Sequence, residues 1–158
     1  MNRSAPAGTG IAIYVDADAR PVKQEIYRVA ERHGLAVIVV SNAFINVPRT
    51  PSIRLQIVGE GLNVADDWIA EHVAANDIVV TNDIPPADRV VKKGALAIAP
   101  NGRVFDTDSI GMALATRNLM QDLRDQGAIT GGPKPFSAKD RSRFLQALHE
   151  AVVGRMRR

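Results

Sequence analysis

Cysteine is absent from the 158 residues, so neither a disulfide framework nor a cysteine-ligated zinc site is available, and a cytoplasmic location is expected. Aromatic residues make up only 4% of the chain, too few for an array of base-stacking platforms. A nucleic acid partner would therefore be held mainly through its backbone. No apolar run approaches the roughly 18 residues that a membrane span requires, which excludes a membrane-spanning helix. Residues 1–10 have neither the apolar core nor the processing site of a signal peptide and read as a flexible tail. Residues 11–158 read as one domain, long enough to bury a core of ordinary size.

Charge is present in both signs, with a formal net charge of +3. Its distribution is uneven: residues 1–80 hold 7 Lys/Arg against 9 Asp/Glu, and residues 81–158 hold 13 against 8. The basic excess is concentrated after residue 133, where Lys134, Arg141 and Arg143 are candidate phosphate contacts. A solvated helix face with a basic end accounts for the same residues.

The most informative stretch runs from Ile11 to Pro21. Its apolar run, Ile11 to Val15, stops on Asp16 and Asp18. Such a run reads as a buried strand of a parallel sheet, with both acids at the carboxyl end, where open α/β sheets place their ligand crevices. A helix from Pro21 to His33, closed by Gly34, and a second apolar run from Leu35 to Val40 complete a βαβ unit. Ile53 to Val58 alternates as an edge strand, and Val64 to Ala75 reads as a helix with Asp66 and Asp67 in its first turn. Asp77 to Thr81 repeats the first pattern: an apolar strand, an acid at its tip in Asp83, and a proline opening the next helix. A fifth strand is expected over residues 95–99.

A long helix follows to about Gln126, with Leu119 and Met120 on its inward side. The Thr130–Pro135 loop is either an anion-binding turn, using Thr130 and Lys134, or a hinge. Ser137 and Asp140 form a capping box for a last helix. His33, His72 and His149 share no common face on their helices and receive no role. The fold class that follows is three-layer, doubly wound α/β, with a mostly parallel sheet of about five strands.

In such a sheet the first strand and the strand leading to Asp83 flank the switch point, so Asp16, Asp18 and Asp83 converge. Carboxylates gathered this way repel one another unless a hard divalent cation sits among them, and an all-oxygen set suits Mg²⁺ or Mn²⁺. That chemistry points to phosphodiester or phosphoryl transfer. Of Asp66 and Asp67, either one points into the crevice as well or both are ordinary helix-start acids.

Several motifs in order carry a resemblance that spans nearly everything after the tail. They are Tyr14-Val15-Asp16-Ala17-Asp18-Ala19-x-Pro21, Val64-Ala65-Asp66, Asp77-Ile78-Val79-Val80-Thr81-x-Asp83-Ile84-Pro85, Lys93-Gly94-Ala95, and Thr130-Gly131-Gly132-Pro133 with Asp140-Arg141. Together they resemble the YaiI/YqxD family of uncharacterised bacterial proteins, which is similar in fold to PIN-like nucleases. The resemblance implies a metal-dependent ribonuclease, with the acidic cluster on Asp16 and Asp83 and with Asp18 and Asp66 in support. Arg20 stands where the family typically has cysteine, and Pro86 where it has leucine. A thiol mechanism is thereby removed, and Arg20 becomes a candidate phosphate contact.

Two other readings stay open. One is a non-catalytic domain that binds RNA or another partner. The other is a haloacid-dehalogenase-type phosphatase, with Asp16 as nucleophile, Asp18 as acid/base and Lys92 or Lys93 as its lysine.

Overall fold

The computed structural model describes residues 10–61, 63–128 and 135–157. The elements in chain order are β1 (Ala12–Asp16), a 3-10 turn (Ala17–Val22), α1 (Lys23–His33), β2 (Ala36–Ser41), β3 (Ile53–Ile57), α2 (Val64–His72), β4 (Ile78–Val80) and α3 (Ile84–Val91). After these come β5 (Leu96–Ile98), β6 (Val104–Phe105), α4 (Ile110–Asp125) and α5 (Ala138–Met156). They form a six-stranded sheet of order β3-β2-β1-β4-β5-β6, parallel except for β6, which runs antiparallel to β5. The chain moves outward from β1 to β3 and then resumes on the other side of β1 at β4. The switch point therefore lies between β1 and β4, as expected for a doubly wound sheet.

The sheet is covered on both faces, which explains the unbroken apolar runs. Along β1 and its approach, Ile11, Ile13 and Val15 pack with Ile26 and Val29 of α1 and with Phe144, Leu148 and Val152 of α5. Ala12 and Tyr14 point the other way, into a core with Ile69 of α2, Val90 of α3 and Ile110 of α4. This two-residue alternation puts Asp16, the next even position, on the α2 and α3 side.

Several boundaries differ from the sequence reading, for identifiable reasons. Pro21 lies inside the 3-10 turn and α1 begins at Lys23, because the backbone leaves helical geometry at Ala19 (φ −85°, ψ 34°). The sixth strand is two residues long and owes its existence to pairing with β5, so it has no pattern of its own. Leu119 and Met120 are not inward-facing: they are 58% and 37% exposed, since only the first turn of α4, at Ile110 and Ala113, is buried against the body. The Ser137–Asp140 capping box forms as expected, each side chain accepting the other residue's backbone N–H at 3.1 Å. Among the described residues no helix is long and apolar enough to cross a membrane.

Candidate functional site

At the switch point the carboxyl ends of β1, β2 and β4 open into a crevice of about 300 Å³, lined by Asp16, Asp18, Asp66 and Asp83 together with Ser41 and Asn63. Each acid arrives by a different route. Asp16 ends β1, Asp18 sits in the 3-10 turn, Asp66 is in the first turn of α2, and Asp83 immediately precedes α3. Asp83 makes no side-chain bond to its helix end, so its carboxylate is not consumed by capping. α2 is fastened to β1 by the Tyr14 hydroxyl, which donates to the His72 carbonyl at 3.2 Å, and by Trp68, whose ring lies 6.1 Å from that of Tyr14. On the same helix the Trp68 and His72 rings are stacked, their centroids 3.8 Å apart.

Asp16 is the inner member of the group, only 6% exposed. Its pKa is pushed up to about 6, chiefly by burial and to a lesser extent by the nearby charges of Asp18, Asp66 and Asp83, against a backbone N–H from Asp18 that lowers it. That N–H reaches Asp16 Oδ1 at 3.2 Å. Asp66 is also raised, first by burial and then by Asp83, with Arg89 pulling the other way. All four carboxylates therefore share one electrostatic environment. Among the described residues, however, no group of three or more His, Cys, Asp or Glu stands at metal-holding geometry. The donors are all carboxylate oxygens, a set that fits a hard divalent ion and not a soft one.

Sequence reasoning passed over Thr81, which is 2% exposed at the end of β4. Its hydroxyl accepts the Asp83 N–H at 3.2 Å and faces Asp16 Oδ2 at 3.5 Å, linking the two strand-tip acids. A threonine closing an apolar strand two residues before an acid was the available signal. Asn82 adds a 3.5 Å contact to the Asp18 carbonyl from the same loop.

The basic candidates are dispersed. Arg141 donates to the Pro21 carbonyl at 2.7 Å and to buried Glu25 at 3.2 Å, so its guanidinium ties α5 to the start of α1. Arg143 is exposed and backs onto Gly102, where an added Cβ would meet its backbone carbonyl carbon at 2.8 Å. Thr130 and Lys134 lie outside the described residues, and the side chain of Arg20 does too. Arg155 is buried and donates to the Gly94 carbonyl at 3.1 Å and to Asn76 Oδ1 at 3.3 Å.

The lysines that a dehalogenase-type site would use are elsewhere. α3 leaves the crevice at Ile84 and delivers Lys92 and Lys93 to the opposite end of the sheet, where Lys92 pairs with Asp88 and Lys93 donates to the Ala70 carbonyl. His33 and His149, unrelated along their own helices, do meet where α1 and α5 cross, with ring nitrogens 3.4 Å apart.

Comparison with known proteins supplies an identity but not an activity. A family model described as "Uncharacterized BCR, YaiI/YqxD family" matches residues 14–154. A UPF0178 protein of Rhodopseudomonas palustris is 61% identical over 140 residues, covering 89% of each chain. One from Bradyrhizobium is 58% identical over 142 residues, covering 90% of this chain and 87% of its own. Another from Azorhizobium caulinodans is 62% identical over 143 residues, covering 90% of each. No solved structure matches. The match runs from β1 through α5 and takes in all four crevice acids: the chain belongs to the YaiI/YqxD family.

Proposed function

We propose that the crevice holds one divalent cation, Mg²⁺ or Mn²⁺, and hydrolyses phosphodiester bonds in RNA. The observation that carries this reading is Asp16, a carboxylate 6% exposed with Asp18, Asp66 and Asp83 all raising its proton affinity. A fold spends stability to keep four acids together at a switch point, and that expense has a use if positive charge is brought there. Asp16, Asp18 and Asp83 would hold the ion. When bound, it supplies an activated water and neutralises phosphate charge.

The remaining work belongs to the chain itself. Asp66 reaches in from α2 to orient the attacking water, and its raised proton affinity suits it to accept the proton. Thr81 keeps Asp16 and Asp83 in register. In-line displacement at phosphorus asks little of a protein beyond placement and charge, so a histidine or serine constellation is unnecessary. The resemblance of the sequence motifs to a family expected to be PIN-like points to the same chemistry by analogy.

The test is calorimetric titration with Mn²⁺ and cleavage of a single-stranded RNA, using the wild type, Asp16→Asn and Asp83→Asn. Metal uptake and cleavage are expected in the wild type alone. A wild type that takes up no metal, or variants that cleave as well as it does, would overturn the hydrolytic reading and leave a binding domain.

A further inference from the structure

The connection from β2 to β3 leaves the acidic crevice and runs along its flank. Ala43 and Ile45 line the crevice, while Phe44, between them, is 74% exposed. On the far side of Ile45 lies a second hollow of about 560 Å³, lined by Phe44 and Ile45 and then by Val47, Pro48, Arg49 and Arg54. The two hollows share Ile45 as their common wall.

Charge separates them sharply. The crevice carries four acids, whereas the flanking hollow carries two arginines and no acid. Arg49 and Arg54 are both exposed, and neither is in an ion pair among the described residues. The next depression along, between α1 and the same loop, adds Arg28 and Arg32 against Glu31.

We propose that this flank is the binding rim for single-stranded RNA, with Phe44 stacked on the base next to the phosphate presented to the carboxylates and with Arg49 and Arg54 on backbone phosphates. The proposal rests on the reading of the crevice as an RNA-cleaving site and names the surface through which its substrate is held. A polyanion cannot be drawn toward four carboxylates by those carboxylates, so affinity must come from beside them. An exposed aromatic ring with unpaired arginines behind it is the combination that single-stranded nucleic acids recognise. A duplex offers no unstacked base to such a ring, which is why the class is single-stranded.

The experiment measures binding of a short single-stranded oligoribonucleotide to the Asp16→Asn protein in EDTA, so that cleavage plays no part. Phe44→Ala is expected to weaken binding by about tenfold or more, and Phe44→Trp to retain it. Emission from the introduced indole should be quenched as RNA is added, with the protein's single native tryptophan, Trp68, giving the baseline. Arg49→Ala and Arg54→Ala should each flatten the dependence of log K on log salt by about 0.7.

Absence of RNA binding, or unchanged affinity in Phe44→Ala with no quenching in Phe44→Trp, would overturn the proposal. So would a concentration-dependent dimer in sedimentation that Phe44→Ala dissolves, because the hollow would then belong to a second copy of the chain. RNA binding through Phe44 without Mn²⁺ uptake or cleavage in the wild type would remove the hydrolytic reading and keep the rim. Cleavage that needs Asp16 and Asp83 but is indifferent to Phe44 would do the reverse.

Discussion

Asp16 is buried where a charge is expensive and surrounded by charges of its own sign, so the folded protein holds its proton more tightly than the unfolded chain does. The sign of the pH effect follows. Its carboxyl rises from the ordinary value of 3.8 to about 6, so stability is greatest below pH 3.8 as far as this group is concerned and falls as pH climbs between those values. Above about pH 6 the full penalty is in place, corresponding to roughly 3 kcal/mol. Asp16→Asn keeps an oxygen to accept the Asp18 N–H and removes the charge. The variant is expected to be more stable than the wild type at pH 8, by up to roughly 3 kcal/mol, and to match it near pH 3.5. Urea unfolding at both pH values checks this, and equal stability at pH 8 would mean that the carboxylate is better solvated than its 6% exposure implies. The position of this acid was legible in the sequence because strand alternation fixes its face. Of Thr81 only the local half was legible, its place two residues before Asp83; its contact with Asp16, 65 residues away, leaves no local trace.

At the level of elements, α5 is attached to the sheet by three inward side chains, Phe144, Leu148 and Val152, and to α1 by a polar strut. Arg141 reaches across 116 residues to Glu25, whose side chain is 8% exposed while the arginine's is 46% exposed. Truncation of the arginine would strand a buried carboxylate. Arg141→Ala is expected to cost about 1–3 kcal/mol, less than for a fully buried pair because one partner is wet, and Arg141→Ala with Glu25→Gln should recover part of it. Thermal unfolding of both variants is the check; a single variant as stable as the wild type would free Arg141 for a partner outside the chain.

This strut shows where periodicity stops being informative. The capping box of Ser137 and Asp140 announced the start of α5, but charge alone gave no means to tell a pairing arginine from a solvated one. The inward side assigned to α4 failed for a related reason. Amphipathic spacing shows that a helix has an apolar face, not that another layer covers it, and Leu119 lies beyond the body of the fold. His33 and His149 meet for the converse reason: each helix was read alone, whereas their contact is a product of the crossing.

For the molecule as a whole, the order β3-β2-β1-β4-β5-β6 is what turns separate acids into one site. The doubly wound pattern was legible because buried runs alternate with amphipathic helices, and it placed β1 beside β4 before any coordinate was needed. The flank carrying Phe44, Arg49 and Arg54 was not legible, because neighbourhood between a loop and a crevice is a property of the assembled sheet. The same assembly makes the proposed cation a matter of global stability. A ligand that binds only the folded state adds RT ln(1 + [L]/Kd), about 2.7 kcal/mol at one hundred times Kd. A domain of this size gains about 2–4 °C in Tm for each kcal/mol, so saturating Mn²⁺ should raise the wild-type Tm by roughly 5–10 °C at pH 8. At pH 5, below the raised pKa of Asp16, protons compete for the same oxygens and the rise should shrink. Asp16→Asn should show no comparable rise at either pH. Differential scanning of both proteins with and without Mn²⁺ decides the matter. A rise that survives in Asp16→Asn would locate the metal elsewhere, and a wild type that ignores Mn²⁺ at pH 8 would leave its four acids without a cation to serve.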